Sequence, residues 1–268
     1  MKQVLCHSLF NLAAPCIMGA MAIDFTKLLG APPSPPPRVP GLTIGVTGHR
    51  PDKLWSWQSP AGNHDGYKWD NPLRVQLRRE IQLATEHLIE KAPRHRYEPD
   101  YRDAYLRRVE WQGKWAEGEP GAERWRSIDV LTVHGGALGA DQDAAGVWLR
   151  MGLPYVMLIP FPGQESRWPE PSQRVYRQVQ AKAAGLLYIS KERPRNHGEA
   201  AQMLMGRNDN GICVMADELL SAWDGSKGGT AACTKTWIRM HHGAALTRLD
   251  PREWRAAHPE WQEAARAG

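Results

Sequence analysis

The chain has 268 residues, 42% hydrophobic and 24% charged, which suffices to bury one substantial core and sits near the upper size of a single compact domain. A formal charge of +5 and a sequence pI of about 9.1 favour phosphorylated or polyanionic partners and fall well short of a dedicated nucleic-acid binder. Four cysteines, Cys6, Cys16, Cys213 and Cys233, show no C-x-x-C spacing, which argues against a zinc knuckle or disulfide framework and for a reducing, cytoplasmic setting.

In chain order, residues 1–40 read as an N-terminal extension and linker. Lys2 and the apolar run Val4 to Ala22 mimic an export signal, but His7, Asn11 and Pro15 interrupt the run, so a tail is preferred and no membrane span is expected. Six prolines between Ala31 and Pro40 make an extended linker. A strand over Leu42 to Val46 then opens a domain spanning 41–250. Asn71-Pro72 marks a helix start, and Leu73, Leu77, Ile81, Ala84 and Leu88 recur at helical spacing. Residues 94–126, rich in Arg, Glu, Trp and Tyr, read as an insertion forming a small surface subdomain.

Alternation follows. Strands are predicted at Ile128 to Val133, Tyr155 to Ile159, Leu186 to Ser190 and Glu218 to Trp223. Helices are predicted at Asp141 to Arg150, Ser172 to Ala183, Glu199 to Met205 and Gly229 to His241, and a C-terminal helix within 251–268 carries Trp254 and Trp261 for packing or oligomer contacts. Short apolar strands separated by helices predict an α/β, Rossmann-like doubly wound fold, with a mainly parallel sheet covered on both faces.

Three of these strands end in glycine turns: Thr47-Gly48-His49-Arg50-Pro51, His134-Gly135-Gly136-Ala137-Leu138-Gly139-Ala140-Asp141, and Trp223-Asp224-Gly225-Ser226-Lys227-Gly228-Gly229-Thr230. Glycine permits close ligand approach, and the first amides of a following helix are unpaired at the positive end of its dipole. Gly135, Gly136, Gly139, Gly228, Gly229 and Thr230 are therefore candidates for a phosphate cradle. Arg50 can add a charged contact or pair with Asp52 at the surface. Asp141 can cap its own helix or meet a ribose hydroxyl, and Asp224 can form an Asx-turn or touch the ligand. Arg207-Asn208-Asp209 closes a helix and can turn polar groups toward the pocket. Phe161 to Trp168, including Glu165, is long enough to cover a site, with Trp168 free to stack on a base. His49 and His134 both end strands and can converge. No metal-ligand spacing and no G-x-S-x-G elbow occur, so neither a metal nor a serine triad is expected.

Taken in order, Thr47-Gly48-His49-Arg50-Pro51 with Leu54, Gly135 to Asp141, Ile159-Pro160-Phe161, Arg207-Asn208, and Trp223-Asp224-Gly225 with Gly228-Gly229-Thr230 resemble the YpsA-like branch of the SLOG superfamily. That superfamily includes DprA and the Lonely Guy phosphoribohydrolases. The resemblance implies a pocket for a nucleotide or nucleotide-derived ligand, lined by the turn residues Thr47, Gly48, His49, Arg50, Gly225 and Thr230 among those above. It leaves open whether the ligand is cleaved. The Lonely Guy motif P-G-G-x-G-T-x-x-E places a glutamate three positions after its threonine, where this chain has Cys233. Asp141, Glu165, Asp209 or Asp224 would have to supply a carboxylate, with Glu165 and Asp224 as the catalytic candidates. The leading expectation is a sensor, carrier or sequestering protein, expected to be a homo-oligomer without a cofactor. The alternatives are a phosphoribohydrolase or nucleosidase, and a single-stranded nucleic-acid binder using Arg94, Arg96, Arg107 and Arg108.

Overall fold

The computed structural model describes residues 41–51, 69–92, 130–242 and 246–261. The extension 1–40 and the insertion 94–126 lie outside these residues. Within them the elements are β1 (Leu42–Gly48), α1 (Pro72–Lys91), β2 (Val130–His134), α2 (Ala140–Arg150), β3 (Tyr155–Ile159), α3 (Glu170–Lys182) and β4 (Gly185–Tyr188). Then come α4 (His197–Gly206), a π-helical turn (Arg207–Ile212), α5 (Cys213–Met215), β5 (Glu218–Ala222), α6 (Gly229–Met240), β6 (Leu246–Leu249) and α7 (Pro251–Ala257). The strands form one sheet of order β4-β3-β2-β1-β5-β6 in which every neighbouring pair is parallel. The predicted Rossmann-like architecture is present.

Side chains alternate across a strand, so each strand feeds two cores. Leu42, Ile44 and Val46 face one side with Leu73, Leu77, Ile81, Trp148 and Tyr176. Leu131, Val133, Val156 and Leu158 face the other with Ile212, Met215 and Trp237. Near-continuous burial of β1 and β3 follows from helices lying on both faces. Two glycines let helices approach β1 closely: a Cβ at Gly45 would stand 2.7 Å from Ala216 Cβ, and one at Gly48 would collide with Ala140 Cβ. Among the described residues no helix is long and apolar enough to cross a membrane.

α1 starts as the sequence indicates, with Asn71 Oδ1 accepting the Leu73 amide at 3.0 Å and Pro72 in the first turn. It is pinned to α2 by a buried charge cluster. Arg74 Nε and Nη2 donate to the two oxygens of Asp143 at 3.0 Å each, and Arg78 Nη1 reaches Asp143 Oδ1 at 3.0 Å. The Trp69 ring covers both guanidiniums, 4.1 Å from Arg78 Cζ and 5.0 Å from Arg74 Cζ.

The structure departs from the predicted elements in three places. β6 was absent from the prediction because Leu246-Thr247-Arg248-Leu249 is a short edge strand with only Leu249 buried, so it carries no apolar run. The helix predicted at Glu199 to Met205 begins at His197, capped by Asn196 Oδ1 on the Glu199 amide, and continues through the π-helical turn into α5. A C-terminal helix is expected within 251–268. α7 instead ends at Ala257, a further turn brings Trp261 against the core, and residues 262–268 lie outside the described set.

Candidate functional site

The strand order places the site. From β1 the chain moves to β2 on one side, while β5 and β6 lie on the other, so the carboxyl ends of β1 and β5 form the switch point at which sheets of this kind have their ligand crevice. His49 and Asp224 meet across that crevice, with Nε2 and Oδ1 2.8 Å apart. Asp224 Oδ1 also accepts the Ser226 amide at 2.9 Å, the Asx-turn anticipated at this position. Partial burial pushes the Asp224 carboxyl up, but bonds from the Ser226 hydroxyl and amide and from His49 outweigh it and bring it down to about 2.

Ser226 Oγ lies 3.3 Å from the same His49 Nε2, so serine, histidine and aspartate do come together. They do not form a relay. A carboxylate oxygen at 2.8 Å requires Nε2 to carry the proton, and a protonated Nε2 cannot take one from Ser226. In this arrangement Nε2 donates to Asp224 and is not placed to act as a base on Ser226. Ser226 itself escaped the sequence reading, although its position two after Asp224 is the ordinary spacing of an Asx-turn.

The second glycine turn differs from expectation. The amides of Gly135 and Ala137 both donate to Asp141 Oδ2, at 3.0 and 3.1 Å, and the Gly136 amide donates to His134 Nδ1 at 3.0 Å. The assignment of Gly135 and Gly136 to a backbone phosphate cradle is therefore corrected: their donors are already taken. Asp141 neither caps α2, whose N-cap Gly139 receives no side-chain bond, nor presents itself to a ribose, since it is buried beneath the turn. Glycine is still required sterically here. Gly139, at φ +92°, leaves no room for a Cβ, which would stand 2.6 Å from His49 O and 3.2 Å from Arg50 Cα.

His134 does not converge with His49. It is fully buried, with Tyr155 and Trp148 rings 5.0 and 6.2 Å away. Burial, reinforced by nearby Arg207, lowers its pKa to about 3, so the ring is neutral.

Arg207 supplies what the amides do not. It is 92% buried at the start of the π-helical turn, a distortion frequent at functional sites. Its Nη1 donates to Gly135 O at 3.3 Å, and Nε and Nη2 both donate to Asn208 Oδ1, at 3.0 and 2.7 Å. Those acceptors are neutral, and among the described residues Arg207 makes no ion pair with a carboxylate. A Cβ at Gly135 would stand 2.6 Å from Arg207 Nε, so that glycine seats the guanidinium. Arg50, exposed, rides over the other end of the turn at Gly139. Among the described residues it has no ion-pair partner, and Asp52 lies outside them. Two arginines thus flank the glycine turn.

Asp141 and Arg207 act on each other without touching. Burial raises the Asp141 carboxyl to about 6 against the opposing pull of Arg207 and the Ala137 and Gly135 amides. Burial likewise lowers the pKa of Arg207, and Asp141 restores part of the shift.

At the third turn the backbone cradle is open. Gly228 at the N-cap of α6 offers no side chain, the first turn holds no acidic residue, and a Cβ on Gly229 would meet nothing within 4 Å. Among the described residues no side chain caps the first amides of α6. Thr230 is nearly buried beside them, and Gly225 takes φ +87° in the turn that leads there. Thr47 and Gly48 close β1 beneath the crevice, and Asn208 orients Arg207.

The loop after β3 reaches the site through Gln164, whose Nε2 donates to Gly135 O at 3.4 Å and to Tyr176 Oη at 3.1 Å. Sequence reading missed this residue because a glutamine in a polar loop carries no signature. Trp168 is half-buried, meets Tyr176 edge-on at 5.4 Å and packs against the core. Glu165 and Asp224 follow β3 and β5, with β2 and β1 between them, so their strands lie about 14 Å apart. That spacing does not bring them together as a pair of carboxylates. Cys233, at the Lonely Guy glutamate position, is fully buried with its Sγ 3.7 Å from Cys213 Sγ. Among the described residues no three His, Cys, Asp or Glu side chains gather as metal ligands.

No family model matches the chain, and no curated protein matches it. In structure it is similar to DNA processing protein A (DprA) from Streptococcus pneumoniae, with a TM-score of 0.42 and 15% identity over 84% of this chain and 57% of that one. It is also similar to DNA processing protein A from Helicobacter pylori, a structure described for its single-stranded DNA binding mode, with a TM-score of 0.42 and 14% identity over 85% of this chain and 79% of that one. The chain thus spans less than two thirds of the first of these proteins.

Proposed function

We propose that the carboxyl rim between β1, β2 and β5 binds the phosphate-bearing part of a nucleotide or nucleotide-derived ligand, in a protein of YpsA-like type. One observation carries the reading: Arg207 is a buried guanidinium with only neutral acceptors, set at the rim of a parallel sheet. Burying a cation without an anion bonded to it is costly, and a ligand phosphate beside it recovers that cost while accepting charge-assisted bonds. Arg50 and the first amides of α6 supply further positive potential on either side of the crevice.

Binding without cleavage is the favoured reading. Departure of a base from ribose needs an anion near the anomeric carbon and an acid for the leaving group. The ionised Asp224 can supply the first, but it is bound to His49 and Ser226, and Cys233 stands where the related enzymes hold their glutamate.

Calorimetry of the full chain against AMP, ADP, NAD, ADP-ribose and a short oligothymidylate tests the reading. At least one mononucleotide or dinucleotide should bind, and Arg207→Gln should weaken it. Folded protein giving heat with none of the small ligands would overturn the proposal, and tight, steeply salt-dependent binding of the oligonucleotide alone would replace it with nucleic-acid binding. Chromatography of the incubated ligands should show no free base. Its release would move the protein to the hydrolases.

A further inference from the structure

We propose that anion binding at this rim is proton-coupled: when a phosphate dianion settles beside Arg207, Asp141 takes up a proton from solvent. The inference rests on the phosphate reading above and adds the charge state in which the site operates.

The geometry places one buried guanidinium between two claims. Asp141 lies under the glycine turn, holding the Gly135 and Ala137 amides, and Arg207 bonds to the Gly135 carbonyl of that same turn. A ligand phosphate that takes Arg207 as its counterion therefore arrives close to a carboxylate already cut off from water. Two anions sharing one low-dielectric site raise each other's proton affinity, and the cheaper response is to neutralise one of them.

The surrounding groups leave Asp141 as the one that responds. On α2 itself, Asp143 is closed by Arg74 and Arg78 of α1. From β2, His134 is neutral and accepts the Gly136 amide. From α3, Tyr176 is held protonated by burial, with Glu165 of the β3 loop acting on it in the same direction. Across the crevice His49 is committed to Asp224. From the π-helical turn comes Arg207, whose pKa burial lowers and Asp141 partly restores, and from the loop after β1 comes the guanidinium of Arg50. Cys233 of α6 lies within electrostatic reach of Arg207 and is buried.

The protonated form fits the same contacts. Both amides meet one oxygen, Oδ2, so a carboxylic acid with its proton on Oδ1 keeps both bonds. The Asp141 carboxyl, already raised to about 6 in the free protein, needs only a modest push to hold a proton at neutrality. Only a proton moves, and no covalent bond of the ligand changes.

The test uses the full chain with AMP and with inorganic sulfate, which stays dianionic from about pH 5 to about pH 8, whereas AMP loses its second charge near pH 6. Calorimetry at pH 7 in two buffers of different ionisation enthalpy counts the protons. Close to one should be taken up per anion bound, and sulfate affinity should rise roughly tenfold or more from pH 8 to pH 6. Asp141→Asn, whose amide oxygen can hold both backbone donors, should bind at pH 8 more tightly than the wild type, with no proton uptake and a flat sulfate profile. Binding with no proton exchange in the wild type overturns the inference and leaves the phosphate reading standing. So does uptake that persists in Asp141→Asn, and the wild-type proton count decides alone should that variant not fold. Absence of binding by sulfate and by every nucleotide of the panel above overturns both.

Discussion

Asp141 and Asp143 stand two residues apart in the first turn of α2, both buried, both facing arginine, and they do opposite things. Asp143 is closed: Arg74 meets both its oxygens, Arg78 adds a third bond, and Trp69 lies over the two cations. Asp141 is open: it spends its charge on two backbone amides, and Arg207 stays out of contact, bonded to neutral oxygens. A buried charge therefore marks a candidate binding site only when its partners leave it under-neutralised. The closed cluster fixes α1 on α2, and the open one is the cluster proposed to meet a ligand.

The largest expected effect falls on the closed cluster. Asp143→Ala removes the buried carboxylate that Arg74 and Arg78 share and should cost about 3 to 5 kcal/mol in denaturant melts. A loss below about 1 kcal/mol would erase the distinction drawn between the two clusters.

Arg207→Gln probes the open cluster and should invert the pattern. Ligand affinity should fall roughly 30- to 100-fold, the equivalent of about 2 to 3 kcal/mol, while the melting temperature holds or rises because a buried charge has gone. A collapse of stability comparable to Asp143→Ala would make Arg207 a structural residue.

Asp141→Asn should raise stability at pH 7 by about 1 to 3 kcal/mol. The sign follows from the raised carboxyl. With a folded value of about 6 against 3.8, Asp141 contributes stability that is complete below about pH 4 and lost as pH climbs through 6. His134 runs the other way. Its folded value of about 3 lies below 6.5, so its contribution is present above pH 6.5 and fades as pH falls toward 3. Between pH 4 and pH 6 the two oppose each other, so thermal scans of Asp141→Asn should show an acid sensitivity that the wild type masks.

The smallest effect belongs to Gly229→Ala, where the helix start is open. With φ outside the left-handed region and free space around the new methyl, the fold should gain up to about 1 kcal/mol. The same methyl should weaken ligand binding if the α6 amides make close contact. Unchanged affinity would confine the site to the arginines.

The architecture was legible because parallel strands buried on both faces write themselves as short apolar runs, as Tyr155 to Ile159 shows. The glycine turns were legible for the same local reason, and Gly48, Gly135 and Gly139 all prove to be places where a side chain cannot fit. What those turns do with their amides was hidden. Whether Gly135 donates to a ligand or to Asp141 depends on where α2 enters, and the six-residue separation carries no trace of it. The Asp143 cluster was equally silent, since Arg74 and Arg78 lie more than sixty positions from their partner and look like the polar face of a helix. His49 and Asp224, 175 residues apart, meet only because β1 and β5 are neighbours in the sheet.

The wide turn at Arg207–Ile212 has a mechanical corollary. A π-helical turn accommodates one more residue than a regular helix in the same span, and each residue advances a helix by about 100°. Removing Asn210 would let α4 run straight into α5, and everything ahead of the deletion would swing by that angle about the axis. The guanidinium now resting on Gly135 would then point away from the crevice. One surplus residue thus works as a phase setting that aims Arg207, and a shortened chain that still folds would have lost its aim.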